Sequence, residues 1–370
     1  MQKKLIAIAV AAVLVPAAAM ADTANVAVYG RLNVSVDHQN DVTGQNSSTF
    51  VNTNSSRFGV KGSEDLGGGL SAIFQVETNV NLTGTGRGGN GNTVANSAAA
   101  NYGAFGGQVR DTFLGLASND LGKIQFGRLP MENHWVYEYN LFADQIGDLG
   151  NFNSPVGGRA NGEVLYTTPN MQGITANLQY YPTSSIAPDA AAGSTAGAKN
   201  SYGMKLNYNA SGLNASFNYL NRSTGLDTEY KPIVVSASYD FGPGSVGGQY
   251  MRDKRDAGAA SAKRNIYNIG GKLIVGGNGA LKAQYSRAND ATGTTANGLT
   301  VGTSTGARMF AIGYDHNLSK RTTLYVAYAN TRNDSGAAFG VGGNGHNNQQ
   351  PGVAVGNDPK GFGVGMAHNF

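Results

Sequence analysis

Bulky residues fall on every second position of the stretch "GFGVGMAHNF". Phe362, Val364, Met366, His368 and Phe370 alternate with Gly363, Gly365, Ala367 and Asn369. A period of two marks a strand whose faces differ. The pattern recurs along the chain. In "NVAVYGRLNVSVD", Val26, Val28, Leu32, Val34 and Val36 share one face, while Tyr29, Arg31, Asn33, Ser35 and Asp37 share the other. Phe58 and Val60 oppose Arg57 and Lys61, Phe74 and Val76 oppose Gln75 and Glu77, and Leu281 and Tyr285 oppose Lys282, Gln284 and Ser286. Sixteen such segments are predicted, near 25–37, 55–64, 70–82, 110–118, 122–129, 162–169, 173–182, 200–210, 213–222, 231–241, 244–254, 263–275, 279–288, 307–317, 321–332 and 359–370. No helical period of comparable length appears beyond the first 21 residues.

Connections alternate in length. Short ones such as "EDLGGG", "SNDLG", "ASG", "GPG" and "NLSK" carry the Gly, Asn, Asp and Pro that tight turns require. Long ones are expected at 38–54, 83–109, 130–161, 183–199, 223–230, 255–262, 289–306 and 333–358. One face is rich in Val, Leu, Phe and Tyr. The other carries Arg, Lys, Glu, Gln, Asn, Ser and Gly. A dry sandwich core does not take a charged inner face. Lipid, in turn, does not tolerate the unpaired backbone groups of an open sheet edge. The pattern therefore predicts an all-β, transmembrane antiparallel β-barrel of 16 strands, greasy outside and wet inside. The last strand must pair with the first to close it, with Phe370 at the short-turn rim facing lipid.

Composition narrows the alternatives. Mean hydropathy is −0.27, too polar for a bundle of membrane helices. The formal charge is +4 with only 14% charged residues, and no run of four basic residues suggests nucleic acid as a partner. "MQKKLIAIAVAAVLVPAAAMA" has a basic head, an apolar stretch and the small-x-small end Ala19-Met20-Ala21, so residues 1–21 are expected to be a cleaved secretory signal. Without Lys3 and Lys4 the balance is 25 basic to 23 acidic residues, nearly neutral. There is no cysteine, so neither disulfides nor thiolate zinc sites are expected.

The stretches "VAVYGRL" at 26–32, "SSRFGVKGSEDLGGGLSAIFQVE" at 55–77, "DTFLGLASNDLGKIQFGRL" at 111–129 and "GEVLYTTPNMQGITANLQY" at 162–180 resemble the general porins of Gram-negative outer membranes, especially the neisserial and β-proteobacterial type. The resemblance implies an outer-membrane channel, spanning 22–370, for passive diffusion of ions and small hydrophilic solutes. It implies a homotrimer surrounded by outer-membrane lipid and lipopolysaccharide. A last strand ending in Phe370 would also serve the barrel-assembly machinery as its signal. The third long loop, 130–161, is expected to fold into the lumen as the constriction. Its own content suits that role, since it holds the only Trp (Trp135) and the acids Glu132, Glu138, Asp144 and Asp148.

By strand parity Arg31, Arg57 and Lys61 point inward, and Arg159 resembles a family arginine that faces the pore. Loop acids opposite these bases would set up a transverse field that orients dipolar solutes and disfavours apolar ones. Relatives often carry an inward base in the strand after Arg159, where this chain has Leu165, so only weak anion preference is expected. The alternative is a substrate-specific channel of related fold. That would need a row of aromatics along the pore, whereas parity places most aromatics on the lipid face. "GTGRGG" at 84–89 fits a dinucleotide fingerprint but opens no helix, and "SEDLGGG" lacks the spacing of a calcium loop. The five histidines are scattered, so no cofactor, metal or catalytic site is expected.

Overall fold

The computed structural model describes residues 25–43, 45–83, 109–131, 138–152, 158–182, 199–225, 227–343 and 351–370. The expected leader and Glu132 lie outside these residues. Among the described residues there are nineteen strand segments in one sheet, and three pairs of segments are pieces of one barrel strand, leaving sixteen. Every pairing is antiparallel between neighbours, and the first strand (Asn25–Val42) also pairs the last (Lys360–Asn369), Arg31 opposite Asn369 through Asn40 opposite Lys360. The ring is closed. Phe370 extends the seam, its N–H donating to the Gly30 carbonyl at 3.1 Å and its carbonyl accepting from the Gly30 N–H at 3.0 Å. Its ring lies over Gly30, where an added Cβ would meet the Phe370 Cζ at 2.3 Å.

The two faces separate as the alternation predicts. Val26, Val28, Val36, Val76, Leu114, Phe126, Leu206, Ile269, Leu281, Phe310, Ile312, Val364 and Met366 are exposed on the outside. Their strand neighbours Asn33, Ser35, Asp37, Gln125, Lys205, Asn218, Gln249, Lys282, Gln284 and Ser286 are buried on the inside. Exposed apolar surface on this scale suits hydrocarbon rather than water.

Three connections expected to be long are tight hairpins instead. The first strand runs on to Val42 opposite Gln45, and Gly225 faces Thr228 and Ala257 faces Ala260 across two further turns. Near these turns both faces are polar, as at His38, Gln39 and Asn40. A strand that has risen out of lipid no longer needs apolar residues outside, so the alternation fades while the ladder continues.

The inner face is not uniformly polar. Val234, Met251, Ile266, Ala288, Ala307, Met309, Ala311, Ala327 and Ala329 form a dry patch on it. Phe142, Ile146, Leu149 and Phe152, from the connection after the fifth strand (Gly122–Pro130), are buried against this patch. Each such burial contributes about 1.5–3 kcal/mol. The small face of the last strand receives the same segment: a Cβ on Gly361 would stand 3.0 Å from Ile146 Cδ1, and one on Gly363 would stand 3.1 Å from Ile146 Cγ1.

Candidate functional site

Residues 138–152 touch the inner wall at polar points as well. The Tyr139 N–H donates to Gln249 Oε1 (3.3 Å), its carbonyl accepts from Asn268 Nδ2 (2.7 Å), and the Leu141 N–H donates to Gln284 Oε1 (2.9 Å). Lys282 donates to Gln145 Oε1 (2.8 Å), pairs with Asp315 (2.9 Å) and sits 4.8 Å from the centre of the Phe142 ring. Glu138 pairs with Lys205 and accepts from Ser236 Oγ at 3.4 Å. Asp148 is fully buried and organises the turn, accepting from Asn140 Nδ2 (2.7 Å) and from the N–H groups of Asp144 (2.8 Å) and Gly150 (2.7 Å). Burial, then the neighbouring Asp144 charge, raises its carboxyl to about 6, against the lowering effect of these hydrogen bonds.

The second barrel strand breaks between its two pieces, Gln45–Thr53 and Arg57–Gly67. Ser55 takes φ +54° there. The lost ladder bond is replaced locally, because the Asn33 N–H donates to Ser56 Oγ at 2.9 Å. The break lets Ser55 Oγ donate to Asp144 Oδ1 at 2.9 Å, and Asp144 also lies 3.9 Å from Arg31. The kink in the wall and the turn of the loop thus meet at one point.

Beside that point an open cleft is lined by Tyr29, Arg31, Arg57, Lys61, Gln75, Glu77, Arg110, Asp111 and Arg159. Five bases face two acids. Glu77, 5% exposed, is the hub. It accepts from Arg110 Nε at 2.5 Å and Tyr29 OH at 2.9 Å, with Arg57 Nε at 3.9 Å. Arg110 also reaches Asn79 Oδ1 (3.1 Å), and Arg159, which opens the sixth strand (Arg159–Thr167), pairs with Asp111. Lys61 lies 5.0 Å from the Tyr29 ring centre. The structure therefore brings together Arg31, Arg57, Lys61 and Arg159, and sets Asp144 against Arg31. Glu138 lies at the Lys205 wall, and Asp148 sits inside the turn. Leu165 is buried on the inner face.

Parity alone does not reach Arg110 and Asp111. Gln75 pairs with Phe113, but Thr78 pairs with Val109, so residues 109–113 hold one extra position. Such a bulge turns the side chains that follow it. The Arg110 N–H still donates to the Glu77 carbonyl at 2.8 Å, which seats the guanidinium on the Glu77 carboxylate. Glu77 itself was readable, standing inward beside Val76 in the alternation.

Comparison with known proteins agrees with this architecture. The profile of the Gram-negative porin family matches residues 7–337. Outer membrane porin protein 32 of Delftia acidovorans is 31% identical over 392 aligned positions, covering all of both chains. Major outer membrane protein P.IB of Neisseria sicca is 28% identical over 88% of this chain and 93% of its own. Among solved structures, the anion-selective porin from Comamonas acidovorans superposes with a TM-score of 0.72 at 26% identity, covering 94% of this chain and all of that one. With a closed barrel, an apolar outside and a charged cleft within, the chain belongs to the Gram-negative porin family and forms an outer-membrane channel for ions and small hydrophilic solutes.

Proposed function

We propose that this porin favours anions weakly, that its third long loop, 130–161, narrows its passage, and that it works as a homotrimer. The observation that carries the anion preference is the cleft of Arg31, Arg57, Lys61, Arg110 and Arg159 against Glu77 and Asp111. Rings of fixed charge set which hydrated ions pass a narrow point. Asp144 against Arg31 supplies the opposite pole of a transverse field, and Lys205 and Lys282 fix the loop from the far wall. The anion-selective porin from Comamonas acidovorans supports the same sign. The trimer follows family membership, as does insertion by the barrel-assembly machinery with Phe370 at the sealed seam. Reversal potentials across a planar bilayer under a salt gradient test the preference. An anion-to-cation permeability ratio above one is expected, and a ratio below one overturns the reading.

A further inference from the structure

One aromatic ring lies open in the charged cleft. Tyr29 faces inward on the first strand, where register sets it opposite Gly59, and Gly59 opposite Glu77. The three stand in one row across neighbouring strands. The ring lies flat over Gly59, since an added Cβ there would meet the Tyr29 Cζ at 2.5 Å and its hydroxyl oxygen at 2.6 Å. The hydroxyl donates to Glu77 at 2.9 Å, so both ends of the side chain are pinned. Tyr325 covers Gly365 in the same manner, but it is buried, as are Tyr181 and Tyr230 on the inner face. Tyr29 is only half-buried and lines the cleft. With one face on the Gly59 backbone, it turns the other to the lumen.

Bases bracket this ring. Arg57 stands two residues to one side of Gly59 and Lys61 two residues to the other, both on the inward face. Strand rise puts each about 7 Å away along the wall. Arg110 and Arg159 are held by Glu77 and Asp111. Arg57 keeps only a 3.9 Å approach to Glu77. Lys61 is exposed, with its ammonium 5.0 Å from the Tyr29 ring centre and, among the described residues, no carboxylate partner.

We infer that Tyr29 and its flanking bases form a weak binding step for small aromatic carboxylates on their way through the channel. The inference rests on the anion preference for its charged end only. The ring of a benzoate-like solute takes the place of the Lys61 ammonium on the open face of Tyr29, and that ammonium turns to the solute's carboxylate. Aromatic rings attract one another in offset or edge-on stacks beyond the area they bury. Arg57, at the other end of the ring, gives the carboxylate a second landing point, with a fork that suits it. The cleft offers about 520 Å³, room for a single-ring acid with water beside it.

The test sets benzoate against cyclohexanecarboxylate, which has the same charge and nearly the same size but no π face. In the wild type, benzoate is expected to halve the single-channel chloride current at a concentration about threefold below that of cyclohexanecarboxylate. Tyr29→Leu should erase this margin, and Tyr29→Phe, which keeps the ring, should retain it. Lys61→Gln should raise both concentrations and leave the margin between them. Heat-modifiable gel mobility shows whether each variant is a folded barrel. Equal concentrations for the two acids in the wild type overturn the stack. So does a margin that survives Tyr29→Leu, or one lost as fully in Tyr29→Phe. Concentrations unmoved by Lys61→Gln overturn the charged end. The wild-type reversal potential in potassium chloride alone reads the anion preference separately. A cation-preferring channel that still shows the margin refutes that preference and keeps the stack, whereas an anion-preferring channel without the margin refutes the stack alone.

Discussion

Replacing Arg57 with Gln isolates the electrostatics of the cleft from its stability. The Arg57 guanidinium is 3.9 Å from Glu77 and its side chain is 31% exposed, whereas Arg110 holds the same carboxylate at 2.5 Å. Losing so loose and wet a pair costs about 1 kcal/mol or less. Glu77 keeps Arg110 and Tyr29, so no buried charge is stranded. In water, one unit charge about 8 Å from the ion path contributes about 0.5 kcal/mol. With a Debye length of about 10 Å at 0.1 M salt this falls to about 0.2 kcal/mol, and it stays near 0.4 kcal/mol at 0.01 M, where the length is about 30 Å. The charge acts oppositely on anion and cation. The permeability ratio should therefore fall about twofold at 0.1 M, about fourfold at 0.01 M and hardly at all at 1 M. Bilayer reversal potentials at the three salt levels read this directly. An unchanged ratio at 0.01 M, in protein whose gel shift is normal, means that Arg57 does not face the conducting path. The control is Arg110→Gln, which leaves Glu77 buried without its close partner and should lower stability by about 3–5 kcal/mol.

Gly361→Val drives a side chain toward Ile146, 3.0 Å from the site of its Cβ. Overpacking of this kind costs about 1–3 kcal/mol, and it should displace the loop and raise single-channel conductance with the barrel intact. Gly30→Val strikes the Phe370 ring at 2.3 Å and the Arg57 carbonyl at 2.7 Å, so it should weaken the seam and lower the temperature of the gel-mobility transition. Asp148 gives a pH signature. Its folded value of about 6 lies above the ordinary carboxyl value, so its contribution to holding the turn is full below about pH 4 and is lost as pH rises through 6. The raised value corresponds to about 3 kcal/mol. Hydrogen exchange in residues 138–152 should therefore speed up between about pH 4 and 6 after correction for intrinsic rates. Asp148→Asn should flatten that rise while losing the bond from the Asp144 N–H, a loss of about 1 kcal/mol.

Where the sequence was legible, lipid made it so. A residue facing hydrocarbon is apolar or costly, and the next residue faces water, so Val26 to Asp37 could be sorted one by one. Where that pressure ends, so does the signal. Above the membrane His38, Gln39 and Asn40 are polar on both sides and read as loop, yet the ladder holds them in strand. Inside, the rule has a second exception. Met251, Met309 and Ala311 face the lumen but look like ordinary strand residues, because only the loop that lands on them explains their chemistry. The glycines of the last strand belong to the same case. Gly361 and Gly363 mark the small face in the sequence, and the approach of Ile146 shows why that face is small. The site behaves likewise. Arg31, Arg57 and Lys61 follow from parity, but Arg110 enters through a bulge that adds one position and carries no residue signature of its own.

These exceptions share a cause. A channel must be wet along its path, yet a loop crossing it must be anchored, and anchoring by hydrogen bonds alone would compete with that water. The apolar seat under Phe142, Ile146, Leu149 and Phe152 removes water from one side of the lumen. Lys282 and Lys205 on the anchoring wall are tied up with Asp315, Gln145 and Glu138, while the cluster of bases Arg31, Arg57 and Arg110 gathers around the break at Ser55. Separating a dry anchoring wall from a wet charged wall explains why one inner face carries two compositions. Charge substitutions in the cleft should therefore change selectivity with little effect on the loop, and substitutions beneath Phe142 should loosen the loop with little effect on the sign of selectivity. A Met309→Ala variant that reversed ion preference without altering conductance would break that division.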